Sequence, residues 1–245
     1  MKAYDTLLIG SGYAAIGYAE ARQNCLVVEE RQIADTQFYL PMRGFAAGEM
    51  TANTQGGERL LACMRGMGLI KDGALCVNGL ECAFARYLLD TNAPLLLKCR
   101  AVRAVAVEGG YEVTLQTNAG LSTVRAKKII DTRPTGRQRV CVLLLVKGEA
   151  DSTLAAVLAA FPGATVSPAF YEGRYALTIP ADGYDENSVK CMIEERFPRG
   201  LLDVQILYIA PAFIYEGVSA PLSDASYPDP ITAYEAGYRA GEVTA

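Results

Sequence analysis

The sequence predicts an α/β fold: a parallel sheet carrying a three-stranded meander, with a small α+β domain inserted into it. Three stretches predict it. Residues 4–30, YDTLLIGSGYAAIGYAEARQNCLVVEE, read as strand, glycine turn, helix and strand. Arg100–Val107, Tyr111–Gln116 and Leu121–Arg125 alternate in character and are separated by Gly109-Gly110 and Asn118-Ala119-Gly120, as hairpin strands are. From Val140 to Ile209 the elements run strand, helix, strand, strand, helix, strand, the split β-α-β order. The expected domains are a discontinuous one, 1–135 with 211–245, and an inserted one, 136–210.

Each part of the first stretch has a physical job. Gly10 permits a tight turn out of the strand Asp5–Ile9, and Gly12 lets the backbone approach a pyrophosphate. Ala15 stands where a third small residue lets helix and strand pack closely. The helix, Tyr13 to about Gln23, offers free N–H groups and a positive dipole end to phosphates. The next apolar run, Cys25–Val28, ends in Glu29 and Glu30. Glu29 falls about twenty residues after the first glycine, placed to accept hydrogen bonds from ribose hydroxyls. The preceding strand, the following helix and the acid at that distance together read as a dinucleotide site.

The other elements follow in order. Arg31–Gly57, rich in Gly, Thr and Asn, reads as irregular. Glu58–Met67 is a helix with Leu60, Leu61, Met64 and Met67 on one face, and Leu80–Leu89 a second. Between them lie the turn Lys71-Asp72-Gly73 and a short strand, Ala74–Val77. Leu95–Lys98 reads as a buried strand before the meander, and Lys127–Asp131 as one more strand after it. In the insert, Val140–Val146, Thr165–Tyr171, Tyr175–Ile179 and Val204–Ile209 are strands, and Ser152–Phe161 and Asp185–Phe197 helices. A last helix starts near Pro230, with Asp229 as N-cap.

At residues 4–30 the chain resembles the N-terminus of FAD-dependent oxidoreductases of the glutathione-reductase-like superfamily, two-domain proteins with a Rossmann-like FAD-binding domain. Ala15 replaces that family's third glycine, and the helix is about a turn shorter. The resemblance implies FAD as cofactor. It sets Gly10, Ser11, Gly12, Ala14 and Ala15 at the diphosphate, and Glu29 at the ribose with Glu30 and Arg31 beside it. The loop after the second strand would cross toward the flavin, bringing Tyr39, Met42, Arg43 and the Gln55-Gly56-Gly57 turn near it. A family valine at the start of the meander contacts adenine through its backbone, and Val102 matches it. The closing strand of the family ends in a polar turn with Thr and Gly; here Thr132 is kept and Arg133 replaces the glycine. The last helix would point its N-terminus, Pro230 and Ile231, at flavin and pyrophosphate. The family's Gly-Asp pair before that helix, whose Asp holds the ribityl chain, has no counterpart; Glu216-Gly217 and Asp224 stand nearest. The insert would take the place of that family's substrate domain, over the flavin face.

Composition narrows the chemistry. At 51% hydrophobic and 20% charged residues the chain is globular rather than disordered. Its net charge of -4, without a lysine or arginine run, excludes nucleic acid and anionic membrane as expected partners. No segment approaches the ~18 apolar residues of a membrane helix, and the apolar run near the N-terminus is too short for a signal-peptide core. Seven scattered cysteines without a C-x-x-C read as reduced thiols of a cytoplasmic protein, and argue against a disulfide reductase. The absence of histidine removes the commonest metal ligand and general base, so no metal is expected. Tyr, Lys, Glu and Cys remain as proton carriers. Tyr171, Tyr175 and Tyr215 lie in or beside the insert, where Arg174 could clamp a carboxylate, but the catalytic group stays unassigned. The resulting expectation is an oxidoreductase moving hydride between FAD and a small organic substrate: an amine, amino acid or hydroxy compound. The alternative is a non-catalytic or partner-dependent subunit of that fold in a larger complex; a homo-oligomer stays open. A nicotinamide-linked dehydrogenase is disfavoured, because simple NAD folds alternate strand and helix.

Overall fold

A computed structural model describes residues 1–35, 37–43, 48–218 and 220–243, so parts of the loop 31–57 and of the tail 220–245 lie outside the described residues. The first unit runs β1 (Lys2–Ile9), α1 (Tyr13–Ala21), β2 (Cys25–Glu29), α2 (Gln55–Gly66), the two-residue strands β3 (Ile70–Lys71) and β4 (Ala74–Leu75), then α3 (Leu80–Thr91). It continues through β5 (Leu95–Leu97), β6 (Arg100–Val107), β7 (Gly110–Thr117) and β8 (Gly120–Asp131). The second unit is β9 (Arg137–Val146), α4 (Ala150–Ala160), β10 (Thr165–Pro168), β11 (Arg174–Pro180), α5 (Glu186–Arg196), β12 (Val204–Ile209) and β13 (Ile214–Glu216). The helix α6 (Pro230–Val243) returns to the first unit.

The first sheet has the order β5-β2-β1-β8-β7-β6. Its β5, β2, β1 and β8 are parallel, and β6-β7-β8 form the antiparallel meander. Leu121–Arg125 and Lys127–Asp131, expected as separate strands, are one strand. Ala126 between them is buried, and no glycine or proline interrupts the pleat. One edge of β8 closes the meander while the other pairs with β1 from Lys2–Val124 to Ile9–Asp131. Leu95–Lys98, expected as buried, forms the sheet's edge instead, with Leu96 and Leu97 over 40% exposed. An apolar run alone does not distinguish a central strand from an edge one.

Other boundaries moved for local reasons. α1 stops at Ala21 because Asn24 takes the left-handed conformation that turns the chain into β2. α2 begins at Gln55, because the Thr54 hydroxyl accepts from Gly57 N–H and caps it. The expected Gln55-Gly56-Gly57 turn is therefore the first turn of α2. A side chain at Gly56 would strike the Tyr234 hydroxyl, and one at Gly57 the Glu235 carboxylate, so these glycines let α2 approach α6. The strand expected to Tyr171 ends at Pro168, where a turn closes through Arg174 N–H to Tyr171 O. β4 ends at Leu75, short of the expected Val77, where a single 3₁₀ turn begins.

The second sheet has the order β10-β11-β9-β12, antiparallel throughout, and β13 pairs with Arg137–Arg139 of β9. Its central strand is buried on both faces. Val140, Val142, Leu144 and Val146 pack with Leu154, Val157, Val189 and Ile193 of α4 and α5. Cys141 and Leu143 point the other way and join the core of the first unit. This alternation lays the second sheet onto the first unit, beside Tyr39, Leu40 and Met42. All seven cysteines are free thiols, and no described helix is long and apolar enough to cross a membrane.

Candidate functional site

The site lies at the carboxyl ends of β1 and β2, where open α/β sheets place their ligands. Gly10 leaves β1 with φ +100°, and a side chain there would meet the Thr132 hydroxyl. That hydroxyl lies 3.1 Å from the carbonyls of Ile9 and Gly10, and Thr132 N–H donates to Ile9, so the ends of β1 and β8 are tied together. α1 then starts at Tyr13, and its first N–H groups have no partner within the helix.

Two carboxylates of the chain itself take up backbone N–H groups here, Asp224 those of α1 and Glu29 those of the flanking Ser11 and Arg31. Glu29 accepts from Ser11 N–H at 2.9 Å, from the Ser11 hydroxyl at 3.1 Å and from Arg31 N–H at 2.9 Å. Asp224 accepts from Tyr13 N–H at 2.7 Å and from Ala14 N–H at 2.8 Å, one bond to each carboxylate oxygen. Its carboxylate also fills the space that Gly12 leaves open. Asp224 is fully buried. Burial pushes its carboxyl up to about 7, with Asp35 adding to the rise, while the two N–H bonds and Arg43 pull it down. A carboxylate at a helix N-terminus is favoured by the dipole, but the lost hydration outweighs that gain.

A polar lock holds Asp224 in place. The carboxylate of Asp35 accepts from Tyr13 OH at 2.8 Å and from the N–H groups of Phe38 and Tyr39. Burial raises this carboxyl above its ordinary value, although all three bonds oppose the rise. The side-chain amide oxygen Oε1 of Gln37 accepts from the Ser223 hydroxyl at 2.8 Å and Ala225 N–H at 3.0 Å. Arg43 donates to the carbonyls of Gln37, Asp224 and Tyr227 and lies over the Phe38 ring at 4.0 Å. Burial lowers its guanidinium to about 10. The loop 31–43 and the turn 223–227 thus clasp each other over α1.

Beside this closed end lies an open cavity of about 480 Å³, lined by Gly10, Glu29, Arg100, Arg133 and Tyr215 among others. That volume is within the usual span of small-molecule sites, roughly 300–1,000 Å³. Its rim arginines are paired: Arg31 with Glu186 at 3.4 Å, Arg100 with Glu30 at 3.6 Å and Arg133 with Asp131 at 2.7 Å.

The expected cofactor residues therefore divide. Gly10, Glu29, Glu30, Arg31 and Arg133 line the cavity. Ser11 is turned to Glu29, and Gly12 and Ala14 to Asp224. Ala15 is buried within α1 and Thr132 joins two strands. Val102 sits at a bulge of β6, 43% exposed; Cys99, Arg100 and Ala101 line the cavity in its stead. Arg43 points at backbone carbonyls. Pro230 and Ile231 are buried at the start of α6, where Asp229 accepts from Ile231 N–H at 2.9 Å. Asp35 and Gln37 carried no sequence signal beyond lying in a polar loop. Among the described residues no cluster of three potential ligands gathers for a metal.

The cavity beside Glu29 has a volume in the range of small-molecule sites. The α1 N–H pair that a diphosphate would use is held by the Asp224 carboxylate.

No protein-family model matches the chain, and no curated protein sequence does. Solved structures do resemble it in fold. A geranylgeranyl bacteriochlorophyll reductase-like protein from Thermoplasma acidophilum aligns with 100% of this chain and 78% of its own, at a TM-score of 0.57 and 16% identity. The p-nitrophenol 4-monooxygenase PnpA from Pseudomonas putida DLL-E4 aligns with 89% of this chain and 70% of its own, at 0.54 and 12%. A flavoprotein/dehydrogenase from Cytophaga hutchinsonii aligns with 98% of this chain and 77% of its own, at 0.51 and 15%. At such identities the likeness is one of fold: the chain has the mixed α/β, Rossmann-like architecture of these proteins.

Proposed function

We propose that the chain is an FAD-dependent oxidoreductase that moves a hydride between a small organic molecule, such as an amine, amino acid or hydroxy compound, and the flavin. The observation that carries this reading is the open cavity against Gly10 and Glu29 at the carboxyl edge of the parallel strands. The fold shared with a flavoprotein/dehydrogenase supports it. Glu29 would hold the ribose of the adenosine half, the start of β6 would face the base, and the N-terminus of α1 would take the diphosphate once the Asp224 carboxylate turns away. When bound, the flavin supplies the redox chemistry. The chain's own part is to orient the substrate against it and to exclude water, with the second sheet as cover.

Purification of the full chain followed by a visible spectrum tests the reading. The expected result is a yellow protein whose pigment is released on denaturation and identified as FAD by mass. Colourless protein that takes up no FAD on incubation would overturn it.

One arrangement favours a second reading, a non-catalytic subunit that keeps the fold. The α1 N–H pair is held by Asp224, and the rim arginines are held by carboxylates. That reading expects a colourless protein, or a flavin that no small molecule reduces.

A further inference from the structure

A second cavity, of about 420 Å³, lies where the second sheet meets the loop 39–42 of the first unit. Its walls are mainly apolar: Leu40, Met42, Leu143 and Leu207. Tyr39, Asn78 and Tyr208 add polar atoms. The β12 strand is built for this. Its register with β9 shifts between Ile206 and Tyr208, so Leu207 is an extra residue. The bulge brings Leu207 and Tyr208 to the same cavity, where a regular strand would send them to opposite faces.

Among the described residues Arg174, the first residue of β11, is the one cation on this lining. Its guanidinium lies 4.7 Å from the centre of the Tyr171 ring. That ring is steadied by a contact of 3.9 Å between its hydroxyl and the Cys76 thiol. Among the described residues Arg174 has no carboxylate in ion-pair range, whereas Arg31, Arg100, Arg133 and Arg139 each have one. A stacked, half-buried guanidinium without an anion, at the edge of an apolar cavity, is a receptor for a planar anion. A single fork suits a carboxylate; a phosphate would call for more cations than this lining holds.

We infer that this cavity binds a small apolar organic acid, its carboxylate on Arg174 and its hydrocarbon body between Leu40, Leu143 and Tyr208. Calling that acid the substrate rests on the oxidoreductase reading; its binding does not. The acid narrows that reading's substrate class to members bearing a carboxylate.

Calorimetric titration of the full chain with benzoate, phenylacetate and cinnamate, each beside its neutral amide, tests the inference. At least one acid is expected to bind about tenfold or more tightly than its amide, as a charge-assisted pair does over a neutral contact. Arg174→Met should remove that preference, Arg174→Lys should keep part of it, and Arg103→Met, on the exposed face of β6, should match the parent. Equal affinity of acid and amide, binding of none of the three acids, or a preference that survives Arg174→Met would each overturn it. The comparison of acid with amide in the parent needs no variant to fold. It is made on protein as purified, so a colourless protein that prefers the acid sinks only the flavin reading. A yellow protein that does not prefer it sinks only this one.

Discussion

The two ends of the crevice at α1 meet the same chemistry with opposite results. At one end Glu29 accepts two backbone N–H groups, and at the other Asp224 does the same. Glu29 comes from the neighbouring strand and borders an open cavity. Asp224 comes from 211 residues away in the chain and is sealed by the clasp of Gln37 and Arg43. A carboxylate that borders a cavity can still accept from a ligand's hydroxyl. One that is sealed against a helix N-terminus already uses the N–H groups an anion would need, and its own charge would repel a phosphate there.

Three substitutions sharpen the contrast, the largest effect first. Glu29→Ala leaves the buried Ser11 N–H and the more open Arg31 N–H without their acceptor. Its unfolding free energy in urea should fall by about 2–3 kcal/mol; a change near zero would mean that the turn does not depend on this carboxylate. Asp224→Ala should act in the other direction on binding. ADP carries the diphosphate and the adenosine half without the ribityl chain, and its adenosine half meets the same residues in parent and variant, so the difference between them reads this seat. Above about pH 8 its affinity should rise about tenfold or more in the variant, as the like charge is removed. The pH dependence follows from the raised carboxyl of Asp224, about 7 in place of 3.8. As pH falls through 7 the folded parent takes up a proton there, the repulsion fades and the gap between parent and variant should close. A gap that is absent, or that widens at low pH, would show that Asp224 does not compete with the diphosphate. Arg133→Ala, which breaks an exposed ion pair on the cavity rim, should change stability by less than about 1 kcal/mol. A larger loss would mean that the rim holds the crevice open.

Much of the framework was readable because it is encoded locally. The turn at Gly10, the meander joined at Gly109-Gly110 and Gly120, and the strand–helix order of the insert each rest on a few neighbouring residues. The edge position of β5 and the continuity of β8 were not readable, because apolar runs do not say which strands flank them. Val102 matched a family position, yet the bulge beside it set Cys99, Arg100 and Ala101 on the cavity.

From its sequence alone the chain determined a glycine turn between strand and helix, an acid at the end of the second strand, and a split β-α-β insert, since periodicity and turn chemistry act over short range. Only the tertiary structure decided what faces the α1 N-terminus. Of the two acidic positions near the expected Gly-Asp pair, Asp224 reaches it and Glu216 instead pairs with Arg139. That choice depends on how α6, the loop 31–43 and the turn 223–227 pack together, and packing between segments this far apart leaves no pattern in any one of them.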